Sequence, residues 1–203
     1  MQVLAAPAFS NQKVNPYNAL LYQELNHLAP VVEEYSHRKA LFRQYDILHF
    51  HWPDGYVNEP SLLKALQRIV VFGLIMMSAK LKGAKIVWTV HNIFPHDCYH
   101  PQLSQKFMRW FVKHCDGLIF MSEQGKQDFG EHYVLTKDKV TAIIPHGHYR
   151  PYYCSASANA CPAASAKASD AAEFGTANSE TAKQQADNNS TCHWIKPYFS
   201  ALG

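Results

Sequence analysis

Four apolar runs in this chain end in a polar residue at the same relative place: Ile47-Leu48-His49-Phe50-His51, Ile86-Val87-Trp88-Thr89-Val90-His91, Leu118-Ile119-Phe120-Met121-Ser122 and Val140-Thr141-Ala142-Ile143-Ile144-Pro145-His146. Short continuous runs of this kind suit strands buried on both faces, as in a parallel sheet. Their carboxyl ends then lie along one edge, where open α/β folds place their ligand crevice. Histidines, a serine and the asparagine after His91 would line a single cleft.

The segments between the runs read as helices. Met1 to Phe9 is apolar without a basic stretch before it, and Ser10-Asn11-Gln12-Lys13 follows too soon for a signal peptide, so a first strand is expected there. Asn15-Pro16-Tyr17 restricts the backbone before a helix over Ala19 to Leu28, with Leu20, Leu21, Leu25 and Leu28 at helical spacing. Pro30 to Tyr35 reads as the second strand and Lys39 to Arg43 as a brief helix.

Trp52-Pro53-Asp54-Gly55 is turn chemistry. Glu59-Pro60-Ser61 then opens a helix to about Lys82, with Leu62, Leu66, Ile69, Gly73 and Met76 along one face and Gly83 closing it. Further helices are expected over Gln102 to His114, burying Phe107, Trp110 and Phe111, and over Gly125 to Tyr133. This alternation predicts an α/β fold: an open, mostly parallel sheet with helices on both faces and right-handed crossovers.

The apolar stretch Ile69 to Ala79 is about half of the roughly 20 residues that span a bilayer. A core helix is the plain reading. A peripheral membrane face is the alternative, because Lys64, Arg68, Lys80 and Lys82 flank the stretch.

Residues 1–153 are expected to form one domain. From 154 to 190 the chain turns rich in Ala, Ser, Asn and Gln, cannot bury enough apolar surface to offset ordering entropy, and reads as a disordered low-complexity segment. Residues 191–203 form a short apolar tail. A formal charge of +3 is too small to call for nucleic acid. Five scattered cysteines without a C-x-x-C pair indicate neither a zinc ribbon nor a disulfide framework, and fit a reducing cytoplasm.

His49 and His51, two apart on one strand, share a face. Metal binding there would need a third ligand, and Asp46 and Asp54 only flank the strand, so hydrogen-bonded histidines and no metal are expected. His91, at a strand end with Asn92 after it, is placed to orient or deprotonate a substrate hydroxyl; hydrogen bonding to its own loop is the competing reading. His96 and His100, stiffened by Pro95 and Pro101, are candidates for one cleft wall. Ser122 lacks a G-x-S-x-G surround, so capping or ligand hydrogen bonding replaces a nucleophile role. Pro145-His146-Gly147 is an exit where Gly147 permits positive φ and a hinge. The dinucleotide and P-loop glycine motifs are missing.

Together, Asn15-Pro16-Tyr17, Asp46-Ile47-Leu48-His49-Phe50-His51-Trp52-Pro53, Thr89-Val90-His91-Asn92 with Pro95-His96, Asp116-Gly117-Leu118-Ile119 with Ser122, and Ile144-Pro145-His146-Gly147 resemble the amino-terminal, acceptor-binding domain of bacterial GT-B glycosyltransferases that build exopolysaccharides and glycolipids. The resemblance covers roughly residues 1–153. It implies a Rossmann-like domain facing a second one that holds a nucleotide-sugar, the family's donor, whose site is not expected in this chain; no other cofactor is implied. It implies His91 as the acceptor-side catalytic histidine, with Asn15, Tyr17, His51, Asn92, His96, Ser122 and His146 as substrate-binding residues. The acceptor is a saccharide or a lipid-linked one.

Ile195-Lys196-Pro197-Tyr198 resembles the opening of the donor domain. Three readings stay open: an acceptor domain from a truncated gene, inactive alone; a half-enzyme completed by a donor-domain partner chain; and a non-catalytic glycan- or glycolipid-binding module. The expected location is cytoplasmic, with peripheral contact at the inner face of the cytoplasmic membrane.

Overall fold

The computed structural model of the chain describes residues 1–26, 31–94, 98–147 and 149. Six strands, β1 (Gln2–Ala6), β2 (Val31–Glu34), β3 (Ile47–Phe50), β4 (Lys85–Val90), β5 (Gly117–Phe120) and β6 (Val140–Ile143), pair in the order β2-β1-β3-β4-β5-β6. Every pair is parallel. Five helices join them: α1 (Tyr17–Asn26), α2 (His37–Phe42), α3 (Leu62–Leu81), α4 (Pro101–His114) and α5 (Glu123–His132). This is the Rossmann-like α/β sheet expected from the four strand ends.

The chain moves one way from β1 to β2 and the other way ever after, so right-handed crossovers put α1 on one face and α2 to α5 on the other. The cores divide accordingly. Val3, Ala5, Ile47, Val87 and Ile119 pack with Tyr22 and Leu25 of α1. Leu48, Phe50, Ile86, Trp88, Leu118 and Phe120 pack with Phe72, Met76, Phe107, Phe111 and Phe129 of the other helices.

Local chemistry sets the boundaries. Ser36 caps α2 by accepting from the Lys39 N–H, and Ser122 caps α5 by accepting from the Gly125 N–H. Gly83 ends α3 at φ +87°, a conformation costly for any residue with a Cβ. Asp116 opens β5 while its carboxylate accepts from the Ile86 N–H and pairs with Lys80, which fixes the end of α3 against the sheet.

The structure corrects several sequence expectations. In α3 the inward residues are Ala65, Phe72, Ile75, Met76 and Ala79, whereas Leu62 and Leu66 are exposed. The reason is that apolar residues spread well beyond one face of the helix, so periodicity could not select the inward one; the rings of Phe50, Phe107 and Phe111 around Phe72 did. Trp110 is only half-buried, its ring beside Gly73. Gly147 does not use positive φ and no heavy atom crowds the position of a Cβ there, so neither feature supports a hinge. Trp52-Pro53-Asp54-Gly55 leads into a single 3₁₀ turn, Pro53–Tyr56. Leu28 and the whole of 154–203 lie outside the described residues.

Candidate functional site

Register builds the site. β3 and β4 pair His49 with Val87 and Phe50 with Trp88, so His49 and His51 share the α1 face with Thr89 and His91, each as a diagonal neighbour across the ladder. His49 Nε2 lies 2.8 Å from Thr89 Oγ1 and His51 Nδ1 lies 3.0 Å from His91 Nε2. From α1, the Tyr22 hydroxyl enters between the two strand histidines, 2.8 Å from His49 Nδ1 and 2.6 Å from His51 Nε2. Five side chains thus form one line, Thr89–His49–Tyr22–His51–His91, from the interior to the carboxyl edge.

Aromatic packing holds the outer end of this line. Trp52, the residue after His51, stacks on His91, and the buried Tyr17 presents its ring edge-on to His91 at 5.0 Å. Tyr17 also packs on His146 from the end of β6, with centroids 4.6 Å apart. The helix carrying Tyr17 starts on a turn in which Asn15 Oδ1 accepts from the Tyr17 N–H. Asn18 donates to the Pro7 carbonyl, and the Glu34 carboxylate accepts from the N–H groups of Ala8, Phe9 and Ser10, so the loop after β1 is fixed beside the site.

Burial without a counter-charge keeps the line neutral. Desolvation, with His91 nearby, lowers His49 to about 3; desolvation, with His49 and His91 nearby, pushes His51 well below the usual histidine range. His91 falls to about 4, again through desolvation first and His146 second. At neutral pH all three imidazoles are uncharged. Five of their six ring nitrogens, all but His91 Nδ1, are spent on each other, Tyr22 and Thr89, and do not converge on a point; among the described residues no group of three side chains is arranged to hold a metal.

A cleft of about 360 Å³ opens at this edge, lined by His91, Asn92, Phe120, Met121, Ser122 and Gly125. A larger depression of about 460 Å³, between α4 and α5, includes Arg109 and His132 but none of the histidine line. The smaller cleft is therefore the candidate site, because the buried histidine line reaches it through His91.

Of the residues singled out in the sequence, His51, His91, Tyr17 and His146 come together, and Asn92 and Ser122 share the cleft with His91. Ser122 Oγ is engaged as the cap of α5. Asn15 sits at the start of α1 as a turn former, and His96 lies outside the described residues. Tyr22, Thr89 and Trp52 were missed. The pairs His49/His51 and Thr89/His91, each two apart at the ends of adjacent strands, were the available signal.

A parallel sheet with a histidine-lined carboxyl edge is the arrangement of an α/β transferase or ligand-binding domain. The profile of Glycosyltransferase Family 4 matches residues 14–149, and the chain belongs to that family. It is 29% identical over 153 residues to a GDP-mannose:glycolipid 4-beta-D-mannosyltransferase of Xanthomonas campestris pv. campestris, a match covering 75% of this chain and 41% of that protein. The same figures hold for the protein of that name in a second strain. The chain thus spans less than half the length of these relatives. No solved structure matches.

Proposed function

We propose that residues 1–153 are the acceptor-binding half of a GT-B glycosyltransferase that extends a saccharide or lipid-linked acceptor in exopolysaccharide or glycolipid assembly. The carrying observation is His91, a neutral imidazole held by Trp52 and His51 at the mouth of the cleft. A second domain binds the nucleotide-sugar; the relatives' name makes a GDP-linked mannose the first donor to try and a glycolipid the first acceptor.

In this reading the acceptor hydroxyl attacks the anomeric carbon. The new oxygen–carbon bond forms as the bond to the diphosphate breaks, the electron pair leaves with the diphosphate, and the hydroxyl proton passes to His91. Asn92, Ser122, His146 and His96 meet the acceptor, and His51, Tyr17 and Asn15 hold the histidine and the helix that frames it. By itself the unit binds acceptor and does not turn over, because charge on the leaving diphosphate must be stabilised from the other side.

Location at the inner face of the cytoplasmic membrane is part of the proposal. Its support is the outward face of α3, where Leu63, Val70, Leu74, Met77 and Leu81 are all exposed. Lys64 lies on the same helix, and Lys82 donates from its end to the Leu41 carbonyl of α2.

The test is transfer from GDP-mannose to a glycolipid acceptor by the chain supplied with a family donor domain, comparing wild type with His91→Ala. A fall of at least tenfold in kcat, with acceptor binding kept, supports the role of His91. Unchanged transfer removes it. Glycolipid binding with no transfer under any pairing favours a non-catalytic binding module.

A further inference from the structure

The Tyr22 hydroxyl has one proton and two imidazole neighbours, at 2.8 Å and 2.6 Å. It donates to one and must accept from the other, since two facing lone pairs in a dry interior are costly. A neutral imidazole is likewise a donor at one nitrogen and an acceptor at the other. These rules propagate through the whole line, because each link joins one ring nitrogen to the next group.

Accepting from both imidazoles would strand the Tyr22 proton in the dry interior; with that proton spent within the line, two orderings satisfy every bond. In the first, His91 Nε2–H donates to His51 Nδ1, His51 Nε2–H donates to Tyr22, Tyr22 donates to His49 Nδ1, and His49 Nε2–H donates to Thr89. In the second, every arrow reverses. The geometry makes the three histidines alike in each: all carry the proton on Nε2 in the first and all on Nδ1 in the second. The state of His91 at the cleft is therefore tied to Thr89, four hydrogen bonds away in the interior.

We infer that Tyr22, His49 and Thr89 are positioning residues that, through His51, lock His91 in the Nε2–H tautomer and leave its Nδ1 lone pair as the base. This rests on the proposed role of His91 as proton acceptor. Aligned donors pointing away from the cleft polarise one another and raise the electron density at the outer nitrogen. The opposite ordering would place a proton on Nδ1 and turn His91 into a donor.

The tautomers are readable in the full chain without donor, acceptor or turnover, so failure here is separable from failure of the transferase reading. Nitrogen-15 spectra of labelled imidazoles distinguish a protonated from an unprotonated ring nitrogen; assignment follows from omitting one histidine at a time. The expected result at neutral pH is Nε2–H for His49, His51 and His91 together. A mixed set, or Nδ1–H throughout, overturns the inference.

Two variants test the coupling. Tyr22→Phe keeps the ring against His49 and His51 but removes the shared hydroxyl. Thr89→Val removes the far end without touching His91, and Thr89→Ser restores it. Both deletions should shift the ratio of the two His91 tautomers roughly fivefold, the equivalent of one hydrogen bond's net worth, and Thr89→Ser should return it. Should Tyr22→Phe fail to fold, the Thr89 pair carries the test by itself. A His91 spectrum unmoved by Thr89→Val in a folded protein sinks the coupling.

Discussion

Trp52 lies almost flat on His91, with ring centroids 4.5 Å apart and planes 19° from parallel. The indole comes from the second residue after β3 and the imidazole from the first after β4, so one adjacent strand pair supplies both. The stack shields the imidazole on one side and fixes its plane. Trp52→Ala should cost about 1 kcal/mol of stability beyond lost burial. It should also let the titration of His91, followed by proton NMR, climb from about 4 toward the ordinary value as water gains access. An unmoved titration would mean that Tyr17 and His51 shield the ring without the indole.

Stability should fall on mild acidification. His49 is held at about 3, His91 at about 4 and His51 well below its ordinary value, whereas each titrates near 6.5 once unfolded. Between about pH 6.5 and 4 the unfolded chain binds protons that the folded one refuses. Stability present above pH 6.5 is therefore lost as pH drops through that window, at up to roughly 1.4 kcal/mol per pH unit for each histidine. Urea midpoints at pH 7, 6 and 5 measure this. A flat series would show that the histidines are hydrated or charged in the native state.

Glu34 carries the loop after β1. Its carboxylate accepts from three consecutive N–H groups at 2.7 to 3.2 Å, and from the Ser10 hydroxyl. Glu34→Gln keeps the shape and one oxygen for the three N–H groups but removes the charge and puts an NH₂ where Oε1 meets the Ala8 N–H and the Ser10 hydroxyl, and should destabilise the fold by about 2 kcal/mol. Hydrogen exchange at Ala8, Phe9 and Ser10 should quicken more than exchange in β4.

The two flanks of α3 should respond differently. Phe72, fully buried among aromatic rings, should cost about 3–5 kcal/mol when replaced by Ala. Leu74→Glu with Met77→Glu, both on the exposed side, should leave the thermal midpoint within a few degrees. The same double variant should release the chain from vesicles containing anionic lipid. Retention of the variant on those vesicles would move the membrane contact elsewhere.

The sheet was legible because buried parallel strands need continuous apolar runs, and four of them ended on polar side chains at one edge. His51 and His91 were legible as neighbours for the same reason. Tyr22 was not: in Leu20-Leu21-Tyr22 it looked like one more apolar position, and only the packing of α1 turned its hydroxyl between two imidazoles. Thr89 was hidden by its strand, where a threonine is ordinary. The inward side of α3 could not be read, since its apolar residues cover far more than one face, whereas α4 alternates charged and apolar positions cleanly enough to fix its own face.

A helix with Phe72 on one flank and Leu74 on the other has no intrinsic outside in water. During folding both flanks compete for the same sheet, and a rotated docking would bury nearly as much hydrocarbon. What separates the right seating from the wrong one is aromatic shape on the inside and, on the proposed membrane location, an apolar surface to receive the other side. The chain should accordingly refold with higher yield beside lipid or a mild detergent than in plain buffer, because such a surface acts as a template for the rotation of this one helix.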